Sequence, residues 1–366
     1  MSAFDTIRRS TILKLLKEAD CTADDIKLVR FLLAHTKLRV KINNTLSAEF
    51  ECTVGAYQGD ALSGCLFTLY SAGSLYHLRA KAMMSPYNRP NPPYNSDSLP
   101  IEWEYADDEE FLSEDRASLD NLLQLCGDVF KEWNLKVNES KTEFTKFHLA
   151  ASDEVDDKGE PLKDREEWRN SITLGSKLCT IADVKHRCNK GQHAFHVFKK
   201  VWLQGNRIRL SRRIRIYEAQ VTSVILYNCN SWAANKKTLH DLDVCQRKHL
   251  RQIVRMQWPK SKISNDALYK LCKVTPLSER VRQSRWRMLG HVLRSDDLNP
   301  AQLALQFAIN SNDLYKGRLG RHQTNLLRVI KRDLKDRNIE LNDTYDLNDL
   351  KCLAHNRENW KELEYI

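Results

Sequence analysis

Asp107 and Asp108 stand side by side in Tyr105-Ala106-Asp107-Asp108, after a stretch in which Ile101, Trp103 and Tyr105 alternate with Glu102 and Glu104. Alternation of period two predicts a strand with one face buried, and Phe111 and Leu112 resume as a second strand beyond the acidic turn. Adjacent carboxylates disfavour each other's ionised forms unless a cation lies beside them. Two hard oxygen ligands at a hairpin tip therefore suit a divalent ion, Mg²⁺ or Mn²⁺. Such ions serve phosphoryl transfer by stabilising the attacking and leaving oxygens. The motif alone leaves a second reading open, a solvated acidic turn continuing into Glu109, Glu110, Glu114 and Asp115.

A second concentration of chemistry is positive. Residues 185–294 hold 25 Lys and Arg against 5 Asp and Glu, whereas residues 1–184 hold 22 against 31 and residues 295–366 hold 11 against 12. A local charge of +20 calls for a polyanion or many counterions, and nucleic acid is the natural partner; a basic face kept for solubility is the alternative. Within this stretch Arg247, Arg251 and Arg255 recur every four residues with Lys248 beside them. On one helix they would form a row able to grip successive phosphates.

The elements that must position these groups follow from periodicity. Asp5 is placed to cap a helix over 6–18, and a second helix is expected over 24–36. Two strands and a turn at Asn43-Asn44 are expected over 38–54, then a long apolar helix over 63–83. Pro86, Pro90, Pro92 and Pro93 mark a loop, and a helix is expected over 119–133. Residues 152–169 read as an acidic surface connection. Ile214, Tyr217, Val221, Val224 and Ile225 have helical spacing, and Thr238 with Asp241 signals the start of another helix. The domains expected are 1–148, 149–168, 169–232 and 233–366.

With 366 residues, 42% of them hydrophobic, and a mean hydropathy of −0.56, the chain has the composition of a globular protein with two or three modest cores. No stretch has the length of a membrane span and the first residues hold no apolar signal core, so an intracellular protein, nuclear or cytoplasmic, is expected. Ten scattered cysteines argue against a disulfide framework and are expected to be reduced thiols, mostly in the core. Cys179, Cys188, His193 and His196 match no common zinc spacing, and no structural metal is assigned.

Several segments together resemble the reverse transcriptases of non-LTR, jockey-like retrotransposons. Ser2-Ala3-Phe4-Asp5-Thr6-Ile7-Arg8-Arg9 resembles the tail of the first palm motif. Val54-Gly55-Ala56-Tyr57-Gln58-Gly59-Asp60-Ala61-Leu62-Ser63 resembles the glycine turn and helix start facing nucleotide and template. Tyr105–Asp108 resembles the catalytic turn, Trp133–Glu143 the fourth motif and Leu174-Gly175-Ser176 the primer grip. Leu226–Cys229 with Trp232, Arg285-Trp286 with Gly290–Arg294, and Gly317-Arg318 ahead of a final helix ending near Arg357 and Trp360 resemble the thumb and tail.

The resemblance implies an α+β fold: a partial palm with a small antiparallel sheet, a helical thumb and a helical tail. It implies RNA-directed DNA polymerisation with an RNA template, a DNA primer, dNTP and Mg²⁺. Asp107 would ligate metal, with Asp108 as a second carboxylate. Phe4 would block a ribose 2′-hydroxyl, or serve core packing instead. Gln58 and Gly59 would lie against the nucleotide, and Lys141 would protonate pyrophosphate unless it is simply a surface lysine. The family's first metal-binding aspartate would fall two residues before Met1, along with the preceding fingers. An N-terminally truncated, inactive copy is therefore expected, or a remnant that only binds nucleic acid through its basic helices.

Overall fold

The structure, a computed structural model, describes residues 3–34, 36–57, 59–84, 102–113, 115–145, 171–205, 207–256, 262–310, 325–339 and 347–363. The chain divides into two compact units, Met1–Glu143 and Phe144–Ile366. The first is α+β with small antiparallel sheets and the second is almost wholly helical, in line with the expected fold class. The Pro-rich loop and the acidic connection lie outside the described residues.

The first unit opens with a 3-10 turn at Ala3–Asp5, followed by α1 (Arg9–Glu18) and α2 (Ala23–Leu33). Asp5 does not cap α1. It is held within the 3-10 turn, and the helix starts behind an extended Arg8 that makes no side-chain cap. Thr22 caps α2 by accepting from the Asp25 N–H at 3.2 Å. Four short strands then nest as two hairpins. β1 (Lys37–Leu38) pairs with β4 (Phe50–Glu51), and inside them β2 (Lys41–Ile42) pairs with β3 (Thr45–Leu46). Asn43 and Asn44 both have positive φ, 45° and 68°, as a type I′ turn requires. The ladder expected to run through is thus broken midway.

Helix α3 (Ala61–Met83) packs against both α1 and α4 (Arg116–Glu132), which is why apolar residues occupy most of its circumference. Gly73 is needed there: a Cβ would lie 2.9 Å from both Leu15 and Trp133. Asp115 caps α4 by accepting from the Ser118 hydroxyl and from the Ser118 and Ala117 N–H groups, and these bonds, the hydroxyl's first, hold its carboxyl below the usual range. Ile7, Ile12, Leu66, Phe67 and Tyr70 form one core, and Leu75, Leu78, Leu122, Cys126 and Val129 another.

The second unit begins with the hairpin β7 (Ile172–Thr173) and β8 (Ser176–Lys177). Helix α5 (Thr180–Phe198) ends in a π-helical turn, Lys199–Leu203, and α6 (Leu210–Tyr217) joins α7 (Ser223–Ile225) through another, Glu218–Thr222. The expected spacing survives this inserted residue, since Tyr217, Val221 and Ile225 are all fully buried. Helix α8 (Lys236–Ile253) starts earlier than the Thr238 signal indicates, because Asn235 accepts from the Thr238 N–H at 2.9 Å. There follow α9 (Asn265–Cys272), α10 (Leu277–Arg294), α11 (Pro300–Asn310), α12 (Leu326–Lys335), α13 (Leu347–His355) and α14 (Arg357–Glu362).

In the tail, Trp286 and Trp360 stack at 4.0 Å, and each indole N–H donates to the other's backbone carbonyl. Arg285, 1% exposed, pairs with Asp333 and donates to the Trp232 carbonyl. The Arg285-Trp286 motif is therefore a packing device. Of the ten cysteines only Cys126, Cys229 and Cys272 are buried, so the expectation that most lie in the core does not hold. His193 and His196 are exposed on α5.

Candidate active site and nucleic-acid interface

β5 (Glu102–Tyr105) and β6 (Asp108–Phe111) pair with Tyr105 opposite Asp108, so Ala106 and Asp107 alone form the loop. Ala106 has φ +58° while Asp107 does not enter the left-handed region. A positive φ at only the first loop residue is the pattern of a II′ turn, where glycine is usual, and alanine is strained there by about 1–2 kcal/mol. Asp107 and Asp108 are both exposed at this tip.

The buried face of the hairpin is opposite to the one expected. Trp103 and Tyr105 are 39% and 67% exposed. Phe111 packs on the Leu75–Leu122 core, and pleating puts Glu102, Glu104 and Glu109 on that same face. Arg79 pairs with Glu102. Burial, with Glu104 and Glu102 nearby, pushes the Glu109 carboxyl up to about 8.

Three of the resembling segments are joined by hydrogen bonds, two through their backbones and the third through a side-chain amide. The Ala56 N–H donates to the Phe4 carbonyl and the Gly55 N–H to the Ile7 carbonyl, both at 2.9 Å. Gly55 has φ +83°, and a Cβ there would sit 2.9 Å from the Asp5 carbonyl oxygen. Arg9, the last residue of the segment that resembles the first palm motif, donates to the carbonyls of Gly55, Leu33 and Cys52. Asn134 reaches the Thr6 carbonyl at 2.5 Å. Phe4 stacks on Phe67 at 4.3 Å against the core. Gly59 has φ +98° with open space around it, whereas Gln58 lies outside the described residues. Lys141 is exposed in the turn after Asn138.

The turn at Leu174-Gly175 has positive φ at both residues, and two buried charges fasten it. Asp183 accepts from the Lys177 N–H at 2.9 Å and from the Trp232 indole at 2.8 Å. Arg187 bonds the Gly175 carbonyl and the Ser176 hydroxyl and lies 4.2 Å over the Tyr227 ring, whose hydroxyl donates to the Leu174 carbonyl. Asp183 and Arg187, one turn apart on α5, could have been found only by weighing acidic and basic residues against the apolar stripe.

These segments meet a known sequence pattern. Residues 1–182 carry a reverse transcriptase (RNA-dependent DNA polymerase) domain. The match spans the Phe4 and Gly55 segments, the acidic hairpin and the Leu174 turn of this reverse transcriptase domain. Among curated proteins none matches the chain. Among the described residues no group of three or more His, Cys, Asp or Glu converges as a metal site, and no helix is long and apolar enough to cross a membrane.

Beyond the reverse transcriptase domain, the arginine row is shorter than its spacing indicates. α8 ends at Ile253, and Arg255 follows with φ +62°, donating to the Gln204 carbonyl. A left-handed residue turns the chain off the helix axis, so Arg255 leaves the face shared by Arg247 and Arg251. Arg251 donates to Asn265 at 2.7 Å, and Lys248 is exposed.

Proposed function

We propose that this chain is the palm and thumb of an RNA-directed DNA polymerase of the non-LTR retrotransposon type. We further propose that its 366 residues on their own bind primer and template without extending the primer. The observation that carries the reading is the exposed Asp107-Asp108 pair on a strained two-residue turn inside the reverse transcriptase domain. Its donor set, two exposed carboxylates, suits Mg²⁺, which is often held by one or two protein carboxylates plus substrate phosphates. When bound, the ion would supply Lewis-acid stabilisation of phosphate charge.

The chain's own groups have separate tasks in this reading. Phe4, braced by Phe67, presents a rigid wall to the sugar. Gln58 and Gly59 lie along nucleotide and template, and Lys141 gives a proton to the departing pyrophosphate. Residues 169–232 act as the thumb, and residues 233–366 hold nucleic acid through Arg247, Lys248 and Arg251 on α8, while Arg255 is held by the Gln204 carbonyl instead.

Incorporation of dNTP on poly(rA)·oligo(dT) with Mg²⁺ or Mn²⁺ tests this. The 366 residues alone should bind the primed template yet incorporate at least about a thousandfold less than the same chain joined to a segment supplying an aspartate ahead of Asp5. In the joined protein Asp107→Asn should abolish incorporation. Incorporation by the 366 residues alone that Asp107→Asn removes would refute their inactivity. Incorporation by the joined protein that survives Asp107→Asn would refute the polymerase reading.

A further inference from the structure

Trp202 is 48% exposed in the turn that ends α5, an uncommon degree of exposure for an indole. Its backbone is fixed. Leu203 beside it is fully buried, and the Gln204 N–H closes the π-helical turn on the Lys199 carbonyl at 2.8 Å. Gly205 is crowded against the Val201 carbonyl, where a Cβ would lie 2.5 Å away. The end of α8 pins the same turn. Gln204 donates to the Gln252 carbonyl at 3.0 Å and accepts from Arg255, and Arg213 donates to the Ile253 carbonyl at 2.7 Å. π-helical turns of this kind recur at functional sites.

The segment that carries the indole bears charge of one sign. Between residues 199 and 215 there are seven Lys and Arg and no Asp or Glu. Lys200, Arg207, Arg209 and Arg212 are exposed, while Arg213 and Arg255 are spent on backbone carbonyls. An aromatic face set among free guanidinium groups fits a base between phosphates, since stacking needs no particular base and the cations follow the backbone.

We propose that Trp202 is a stacking platform for an unpaired base, with Lys200, Arg207, Arg209 and Arg212 holding the flanking phosphates, so that this turn captures single-stranded nucleic acid. The proposal deepens the nucleic-acid reading above and rests on it. It places the grip on the α5–α6 junction, apart from the α8 arginines. Anionic membrane is the lesser fit, because the neighbouring exposed Val197 and Val201 make only a narrow apolar face.

The test is fluorescence anisotropy with the full chain and labelled oligo(U), oligo(dT), a short DNA duplex and phosphatidylserine vesicles. Trp202→Leu is expected to weaken both single strands roughly tenfold with the salt slope unchanged, and Trp202→Phe to retain most of the affinity. Duplex binding should change little. Arg207→Ala, Arg209→Ala and Arg212→Ala together should flatten the single-strand salt slope by about 0.7 for each phosphate no longer neutralised. Oligo(U) and oligo(dT) binding unchanged in Trp202→Leu, equal weakening on the duplex, or weakening confined to vesicles would each overturn the proposal. Because Leu keeps the apolar bulk and Phe the ring, a packing role would not separate the two variants. A chain that bound neither single strands nor primed template would sink the nucleic-acid reading itself. Primed template bound normally beside an inert Trp202 would sink only the stacking platform.

Discussion

Asp183 shows how a single residue can secure a segment that the sequence marks only by resemblance. It is 1% exposed, accepts from the Lys177 N–H and the Trp232 indole, and lies 3.6 Å from Arg187. Removing it leaves two buried donors unpaired and a buried guanidinium without its carboxylate, losses that in buried pairs amount to about 3–5 kcal/mol. Asp183→Ala should therefore lower the urea midpoint of the second unit sharply, whereas Asp241→Ala, an exposed acid on α8, should change it little. A destabilisation below about 1 kcal/mol would mean the Leu174 turn is fastened by something other than this pair.

At the scale of the element, the acidic hairpin joins a strained tip to an inward face that holds three glutamates. The Glu109 carboxyl is raised to about 8, first by burial and then by Glu104 and Glu102. A carboxyl raised on folding keeps a proton that the unfolded chain has released. Its stabilising contribution is therefore full below the unfolded value of 4.5 and is lost as pH rises through about 8. Glu109→Gln should raise the thermal midpoint more at pH 9 than at pH 5, and equal shifts at both would show that Glu109 is solvated. The tip has its own test. Ala106 at φ +58° sits where glycine is unstrained and a β-branched residue is disfavoured, so Ala106→Val should cost about 1–3 kcal/mol in chemical denaturation and Ala106→Gly should stabilise by up to about 1 kcal/mol.

Across the whole molecule the charge is lopsided, +20 over 185–294 within a chain whose net charge is +10. Binding of nucleic acid should accordingly weaken steeply with salt. The two sets of arginines should respond differently, because Arg251 and Arg255 are engaged with Asn265 and the Gln204 carbonyl while Arg207, Arg209 and Arg212 are exposed. Substituting Arg247, Arg251 and Arg255 by Ala should lower stability more than it flattens the slope. Substituting Arg207, Arg209 and Arg212 should do the reverse. Salt titration and thermal melting of both triple variants decide the matter, and a greater flattening of the slope in the first would restore the α8 row as the principal grip.

Local chemistry was legible in the linear chain wherever the cause is local. Alternation and an acidic pair specified the hairpin of residues 102–111, Asn43-Asn44 the turn between β2 and β3, and the counts of Lys and Arg the basic half. Three features depended on partners distant in sequence and so on tertiary packing. Which side of the acidic hairpin faces inward was decided by Phe111 finding the Leu75–Leu122 core, so that Trp103 and Tyr105 turn outward. The arginine row was cut short by a left-handed residue at 255 whose side chain meets Gln204, fifty-one positions away. The closeness of Phe4 to Gly55 came from backbone hydrogen bonds, and that of Thr6 to Asn134 from a side-chain amide on a backbone carbonyl; no periodicity encodes either, because a carbonyl carries no mark of the donor it will meet.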